Sequence, residues 1–181
     1  MLIISVNHTQ RGLLLLNDNG TISYQGDDQC ILRTEFVDQD NQSIRLEGLY
    51  SIAQDKSGAL WVGTNAGLII IDDPSALFSG NACRKIKIPR DDGTGLADYL
   101  LETEQINAIV VDGANRKWIG TAASGLYLMS EDGLETIEHF TTENSPLLSN
   151  TILSIAIEPT TGKVFIGTGK GLMSYQGDAS A

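Results

Sequence analysis

Histidine, cysteine and basic side chains are all scarce in this chain of 181 residues, and each scarcity removes a class of explanation. Two histidines, His8 and His139, leave little material for metal binding or acid–base catalysis. Two cysteines, Cys30 and Cys83, have neither CxxC nor any metal-like spacing, so they imply no disulfide framework and read as small core residues. Twelve Lys and Arg face 23 Asp and Glu, a net charge of −11. That balance excludes nucleic acid as the expected ligand, because affinity there comes from cations neutralising phosphates. The longest apolar runs are four residues, as at Leu13–Leu16 and Leu68–Ile71, too short to span a bilayer. What remains is a folding composition: 41% hydrophobic and 19% charged, which separates the chain from disordered sequences.

The positive signal is internal repetition. LYSIAQDKSGALWVGTNAGLIIID (49–72), INAIVVDGANRKWIGTAASGLYLM (106–129) and ILSIAIEPTTGKVFIGTGKGLMSY (152–175) align closely, and IISVNHTQRGLLLLNDNGTISY (3–24) is a weaker copy. The pentapeptide SYQGD occurs at 23–27 and again at 174–178. Gly-Thr pairs begin at 63, 120 and 167, with Asn17 in the Gly slot of the first copy, giving spacings of 46, 57 and 47 residues. A period in this range is the mark of a repeat architecture.

Each copy reads as short strands separated by turn signals. Leu49–Gln54 is followed by Asp-Lys-Ser-Gly, Leu60–Thr64 by Asn-Ala-Gly, and Leu68–Ile71 completes a third strand. A fourth strand is expected at Glu135–Thr141, at Cys30–Val37 in the first copy, and at Arg84–Ile88 in the second. No window sustains a helical period, and the best helical candidate is a single turn around Leu96–Glu102. Unalternating apolar strands suit sheets covered on both faces. The expected fold is therefore all-β, a partial β-propeller of about four blades of four-stranded antiparallel sheet. One domain covers 1–181, with blades at approximately 1–48, 49–105, 106–151 and 152–181.

The repeated positions have a structural reading. Trp61, Trp118 and Phe165 share one slot, occupied by Leu15 in the first copy, where a large side chain fills the wedge between blades. Gly63, Gly120 and Gly167 permit close backbone approach, and Thr64, Thr121 and Thr168 follow them. Gly67, Gly125 and Gly171 (Gly20 in the first copy) belong to the turn before the third strand. Phosphate cradling by these glycines fails for want of a following helix.

Chemistry-bearing residues are few. The acid pairs Asp27-Asp28, Asp72-Asp73 and Asp91-Asp92 sit in turn contexts without EF-hand spacing, so no metal site is expected. His139 falls in an expected outer strand, and His8 in a turn. Three Asn-x-Ser/Thr sequons, at Asn7, Asn19 and Asn41, complete the set. No catalytic residue and no cofactor are expected. About ten extra residues lie between Pro74 and Gln105, and that insert holds Arg84, Lys85, Lys87 and Arg90, with Tyr99 behind them. These five are the candidate ligand-binding residues: cations for phosphate or uronate, an aromatic for a sugar face. The bland reading is an outer strand with alternate positions facing water.

WVGTNAGLIIID, WIGTAASGLYLM and FIGTGKGLMSY, each preceded by an apolar strand and an Asp/Gly turn, resemble two-component regulator propeller repeats. That family implies seven-bladed rings in the periplasmic sensor regions of hybrid two-component regulators, mostly in Bacteroidetes. A narrower resemblance runs from KIKIPRDDGTGLADYLL (85–101) through ENSPLLSNTILSIAI (143–157) to GLMSYQGDA (171–179). It is similar to the second propeller of the PorZ-type family of type IX secretion. This resemblance implies a non-catalytic binding or scaffold module in the cell envelope, in the periplasm or at the outer-membrane surface. The implied partners are envelope proteins and glycan or lipopolysaccharide. The other open reading is a periplasmic sensor that detects oligosaccharides for a histidine kinase. Four copies are fewer than such rings contain, so a fragment of a longer chain is expected, able to pair as a homodimer through open blade edges.

Overall fold

Strands in this chain form where apolar residues fill consecutive positions between turn residues, and the two repeat signals alternate along the whole length. The computed structural model describes residues 2–7, 11–21, 23–90 and 97–177. His8 and the Asp91-Asp92 pair lie outside the described residues. Among those described, four larger antiparallel sheets follow one another. The first contains β1 (Leu2–Asn7), β2 (Arg11–Asn17) and β3 (Gln29–Arg33). The second contains β6 (Leu49–Gln54), β7 (Leu60–Thr64) and β8 (Gly67–Ile71), and the third β11 (Ile106–Val111), β12 (Lys117–Thr121), β13 (Leu126–Met129) and β14 (Thr136–Phe140). The fourth contains β15 (Ile152–Ile157), β16 (Lys163–Thr168) and β17 (Gly171–Gln176). Two hairpins stand apart: β4 (Glu35–Val37) with β5 (Ser43–Arg45), and β9 (Lys87–Pro89) with β10 (Ala97–Tyr99).

The first strands β1, β6, β11 and β15 lie beside one another in series, so the sheets stack around a common inner line. Three separate apolar cores result, one at each junction between sheets. Every residue of β7, β8 and β12 is buried, as the unalternating runs predict. The same irregularity recurs in three first strands: the register shifts between Leu49 and Ser51, Ile106 and Ala108, and Ile152 and Ser154. A bulge there turns the strand end toward the preceding sheet.

Several expectations need correcting. Cys30–Val37 is not one outer strand: β3 is the third strand of the first sheet, and β4 pairs with β5 instead. The first copy of SYQGD runs into a 3-10 turn at Gln25–Asp27, whereas Ser174–Gln176 lies within β17. Identical residues take two conformations because only the second copy has a strand to pair with and a core to cover. The expected outer strand at Arg84–Ile88 shrinks to one bridge between Ile70 and Arg84, after which the chain leaves the sheet to form β9. The helical candidate near Leu96–Glu102 contains β10 and a turn. Cys30 is exposed and not a core residue, since β3 leaves that face of the first sheet uncovered. Glu135–Thr141 holds as β14, with His139 in it.

Candidate functional site

The repeated residues are occupied in building turns and junctions. After β6, β11 and β15 an acidic side chain folds the turn by accepting backbone N–H groups. Asp55 Oδ1 accepts from the N–H of Ser57 and Ala59 (2.9 and 3.0 Å), and Asp112 Oδ1 from those of Ala114 and Arg116 (both 2.9 Å). Glu158 does the same with Thr160 and Thr161, and Asp38 folds the β4–β5 turn on Asp40 and Gln42. Each repeat threonine then closes the next hairpin: Thr64, Thr121 and Thr168 donate to the carbonyls of Gly67, Gly125 and Gly171, all at 2.9 Å. Those three glycines have positive φ, which a side chain rarely tolerates.

At the junctions, the glycine of each Gly-Thr pair makes room for the next sheet. A Cβ on Gly63 would lie 2.7 Å from the Ile106 carbonyl, and one on Gly120 would lie 2.5 Å from Ile152 Cγ2. Trp61 and Trp118 fill the wedge beside these glycines and are each 1% exposed. Phe165, in the same slot of the fourth sheet, is 37% exposed because no described residue packs beyond it.

One junction contains a charge that sequence reasoning missed. Lys117 is fully buried between the second and third sheets. Its ammonium lies 3.2 Å from Asp55, 4.7 Å from the centre of the Trp61 ring, and donates to the Asn115 carbonyl at 2.8 Å and to that of Glu131. Trp61 Nε1 donates to the same carboxylate at 3.0 Å. Burial raises the Asp55 pKa, but hydrogen bonds from Ser57, Trp61 and Lys117 outweigh it and hold the group at about 2. The signal was available: the slot of Lys117 holds Leu60 and Val164 in the neighbouring copies. Opposite Val164, Trp118 keeps its stacked contact with Phe140, at 6.2 Å between centroids, and its Nε1 has no partner among the described residues.

Of the five candidate binding residues, Lys85 and Lys87 come together over Tyr99, while Arg84 and Arg90 stand on separate carboxylates, and each cation is already paired. Arg84 lies 2.9 Å from Asp72, Lys85 3.1 Å from Glu102 and Lys87 2.6 Å from Asp40, while Arg90 Nε donates to Asp98 at 2.8 Å. Tyr99 donates to Asp40 and lies under Lys85, whose ammonium is 4.4 Å from the ring centre. The bond to Asp40 pushes the Tyr99 phenol up to about 12, and the bonds from Lys87 and Tyr99 hold Asp40 below its ordinary value. Gln39 adds two bonds to the Lys85 backbone, at 2.8 and 2.9 Å. The cluster clasps the insert to the β4–β5 turn, so an anion must displace one of four carboxylates to bind there. An apolar cavity of about 320 Å³ lies elsewhere, between the third and fourth sheets, lined by Leu126, Phe140, Leu147, Ile166, Met173 and Tyr175 among others.

His139 stacks on Tyr127 with 3.9 Å between ring centres, and its Nε2 lies 2.7 Å from the Ser124 carbonyl. Ser124 Oγ turns away to Glu104, at 2.6 Å. Neither serine nor histidine has the geometry of a nucleophile and its base. No group of three or more potential metal ligands occurs among the described residues, and no described helix is long and apolar enough to cross a membrane.

Known proteins fit this geometry. The two-component regulator propeller family matches residues 44–66, from the end of β5 through β6 and β7. Among solved structures the chain is similar to PorZ, an essential bacterial surface component of the type IX secretion system of Porphyromonas gingivalis. The two are 33% identical over 98% of this chain and 24% of that one, with a TM-score of 0.86. The chain thus spans about a quarter of the length of that structure. A gluconolactonase-like protein shares the fold at 14% identity, over 95% of this chain and 47% of that one, with a TM-score of 0.54. The extracellular domain of a hybrid two-component system from B. thetaiotaomicron is 20% identical over 98% of this chain and 27% of that one, with a TM-score of 0.42. No curated protein sequence matches.

Proposed function

We propose that this chain is a four-bladed segment of a β-propeller that serves as a non-catalytic binding or scaffold module of a PorZ-type envelope protein in type IX secretion. The observation that carries this reading is the similarity to PorZ across 98% of the chain, at 33% identity. The local chemistry is consistent with it: the repeated acids, threonines and glycines close turns and junctions. In this reading the protein is exported, and the module meets other envelope proteins and an anionic glycan such as lipopolysaccharide. Arg84, Lys85, Lys87, Arg90 and Tyr99 are the proposed glycan contacts, with phosphate or uronate groups exchanging for the carboxylates that hold the cations now. A sugar face would stack on Tyr99.

A second reading is favoured by the regulator-propeller match at 44–66: a sensor segment that takes a neutral oligosaccharide on behalf of a kinase. Titration of the purified chain with lipopolysaccharide micelles and with a panel of neutral oligosaccharides separates the two. The leading reading predicts saturable lipopolysaccharide binding that falls at least tenfold in the Lys85→Glu/Lys87→Glu double variant. Oligosaccharide binding alone favours the sensor. Lipopolysaccharide binding unchanged by the double variant removes the five residues from the site.

A further inference from the structure

The ion pairs around the insert are not alike. Arg84 meets Asp72 beside the strand it bridges, and Arg90 meets Asp98 across its own hairpin. Lys85 meets Glu102, just beyond β10. Asp40 comes from a different hairpin. It reaches over from the β4–β5 turn, and its two oxygens are divided: Lys87 Nζ lies 2.6 Å from Oδ1, and the Tyr99 hydroxyl donates to Oδ2. Lys85 joins the same group, because both ammonium groups lie over the Tyr99 ring, 4.4 and 5.9 Å from its centre. Two cations and a phenol thus gather around one carboxylate whose side chain is 36% exposed.

The fold does not depend on that carboxylate. Asp38, 6% exposed, closes the β4–β5 turn by accepting from the N–H groups of Asp40 and Gln42. Among the described residues, both bonds of the Asp40 side chain go to the insert. The insert is held to the same turn without them: Gln39 donates to the Lys85 carbonyl at 2.8 Å and accepts from its N–H at 2.9 Å. The backbone of Val37 adds bonds to Asn81 and Cys83. An acid that folds no turn, and whose hold on the insert is duplicated, stands where a ligand would stand.

We propose that Asp40 is a built-in competitor for an anion site formed by Lys85, Lys87 and Tyr99, and that it makes the site selective for phosphate monoesters over carboxylates. The proposal rests on the reading of these residues as anion contacts. A uronate offers the same head group and the same single charge as Asp40, but it arrives from solution, whereas Asp40 is tethered at high effective concentration. A phosphate group carries a charge of about −1.5 to −2 near neutral pH and one more oxygen. Two of its oxygens replace those of Asp40 on Lys87 and Tyr99, which leaves the third for Lys85 on the same ring. Removing Asp40 therefore strengthens the binding of any acidic ligand and abolishes the discrimination.

Calorimetric titration of the whole chain at fixed pH and ionic strength tests this, with inorganic phosphate, glucuronate, and native or dephosphorylated lipopolysaccharide as probes. The wild type is expected to bind phosphate about tenfold more tightly than glucuronate. Asp40→Ala is expected to bind phosphate about tenfold more tightly than the wild type and to take up glucuronate as well, and adding Lys87→Gln abolishes both gains. Lipopolysaccharide binding that is lost on dephosphorylation marks a lipid headgroup as the source of the phosphate; inorganic phosphate bound while both lipopolysaccharides are refused marks a free phosphate. Both results support the proposal. If the wild type binds phosphate and Asp40→Ala binds it no more tightly, the competitor is overturned while the anion site stands. Glucuronate bound by the wild type as tightly as phosphate overturns the selectivity. If neither folded protein binds phosphate or lipopolysaccharide, the anion site falls too. Asp40→Asn repeats the comparison if circular dichroism shows Asp40→Ala unfolded.

Discussion

A lysine without solvent exposure is tolerated only where its charge is met, and Lys117 meets a carboxylate, two carbonyls and an indole face. Removing one member of such a group strands the others. Lys117→Met is expected to destabilise the chain by roughly 3–5 kcal/mol in urea unfolding, and adding Asp55→Leu is expected to recover little of that loss, because the same carboxylate also accepts from Ser57, Ala59 and Trp61. The two repeat tryptophans then separate cleanly. Trp61→Phe loses a bond to a buried carboxylate, about 2–3 kcal/mol, while Trp118→Phe gives up no hydrogen bond and is expected within about 1 kcal/mol of the parent. Asp55 also shapes the acid limb. Its pKa falls from 3.8 to about 2 on folding, so the unfolded chain binds the proton first. Its contribution is complete above about pH 5, and stability declines as pH falls toward 2; Asp55→Asn flattens that part of the profile. The tryptophan slot was legible from the repeat. Lys117 stood out as a charge in a slot of Leu60 and Val164, but its role was not legible, because the partner that explains it lies sixty-odd positions away in sequence.

The strands and turns of the repeat were legible because each carries its own chemistry: an acid that accepts N–H groups, a glycine at positive φ, a threonine that closes a hairpin. Thr121→Val takes one of two donors from the Gly125 carbonyl and removes the acceptor of the Ser124 N–H, and is expected to reduce stability by about 1–2 kcal/mol, measured by thermal unfolding. Gly120→Ala drives a methyl toward Ile152 and is expected to reduce stability by about 1–3 kcal/mol, its effect concentrated at the junction of the third and fourth sheets, where hydrogen exchange reads it. The hairpins β4–β5 and β9–β10 escaped the repeat because they break it. Each has three-residue strands, and both are held by cross-chain contacts such as Gln39 with Lys85 and Asp40 with Lys87 and Tyr99. Most of the clasp is exposed, so its ion pairs are expected to contribute little to stability.

Seen whole, the described residues form a series of sheets around shared inner strands, with one core per junction. The stacking followed from the period and from strands apolar on both sides. A repeated junction explains why the similarity to PorZ holds across nearly the whole chain even though hairpins and insert depart from the repeat. The most direct measurement is the size and membrane of the intact protein, followed with an antibody against this chain in fractionated cells. The account predicts an outer-membrane or surface-exposed protein with no kinase domain. An inner-membrane protein large enough to carry a kinase would contradict it.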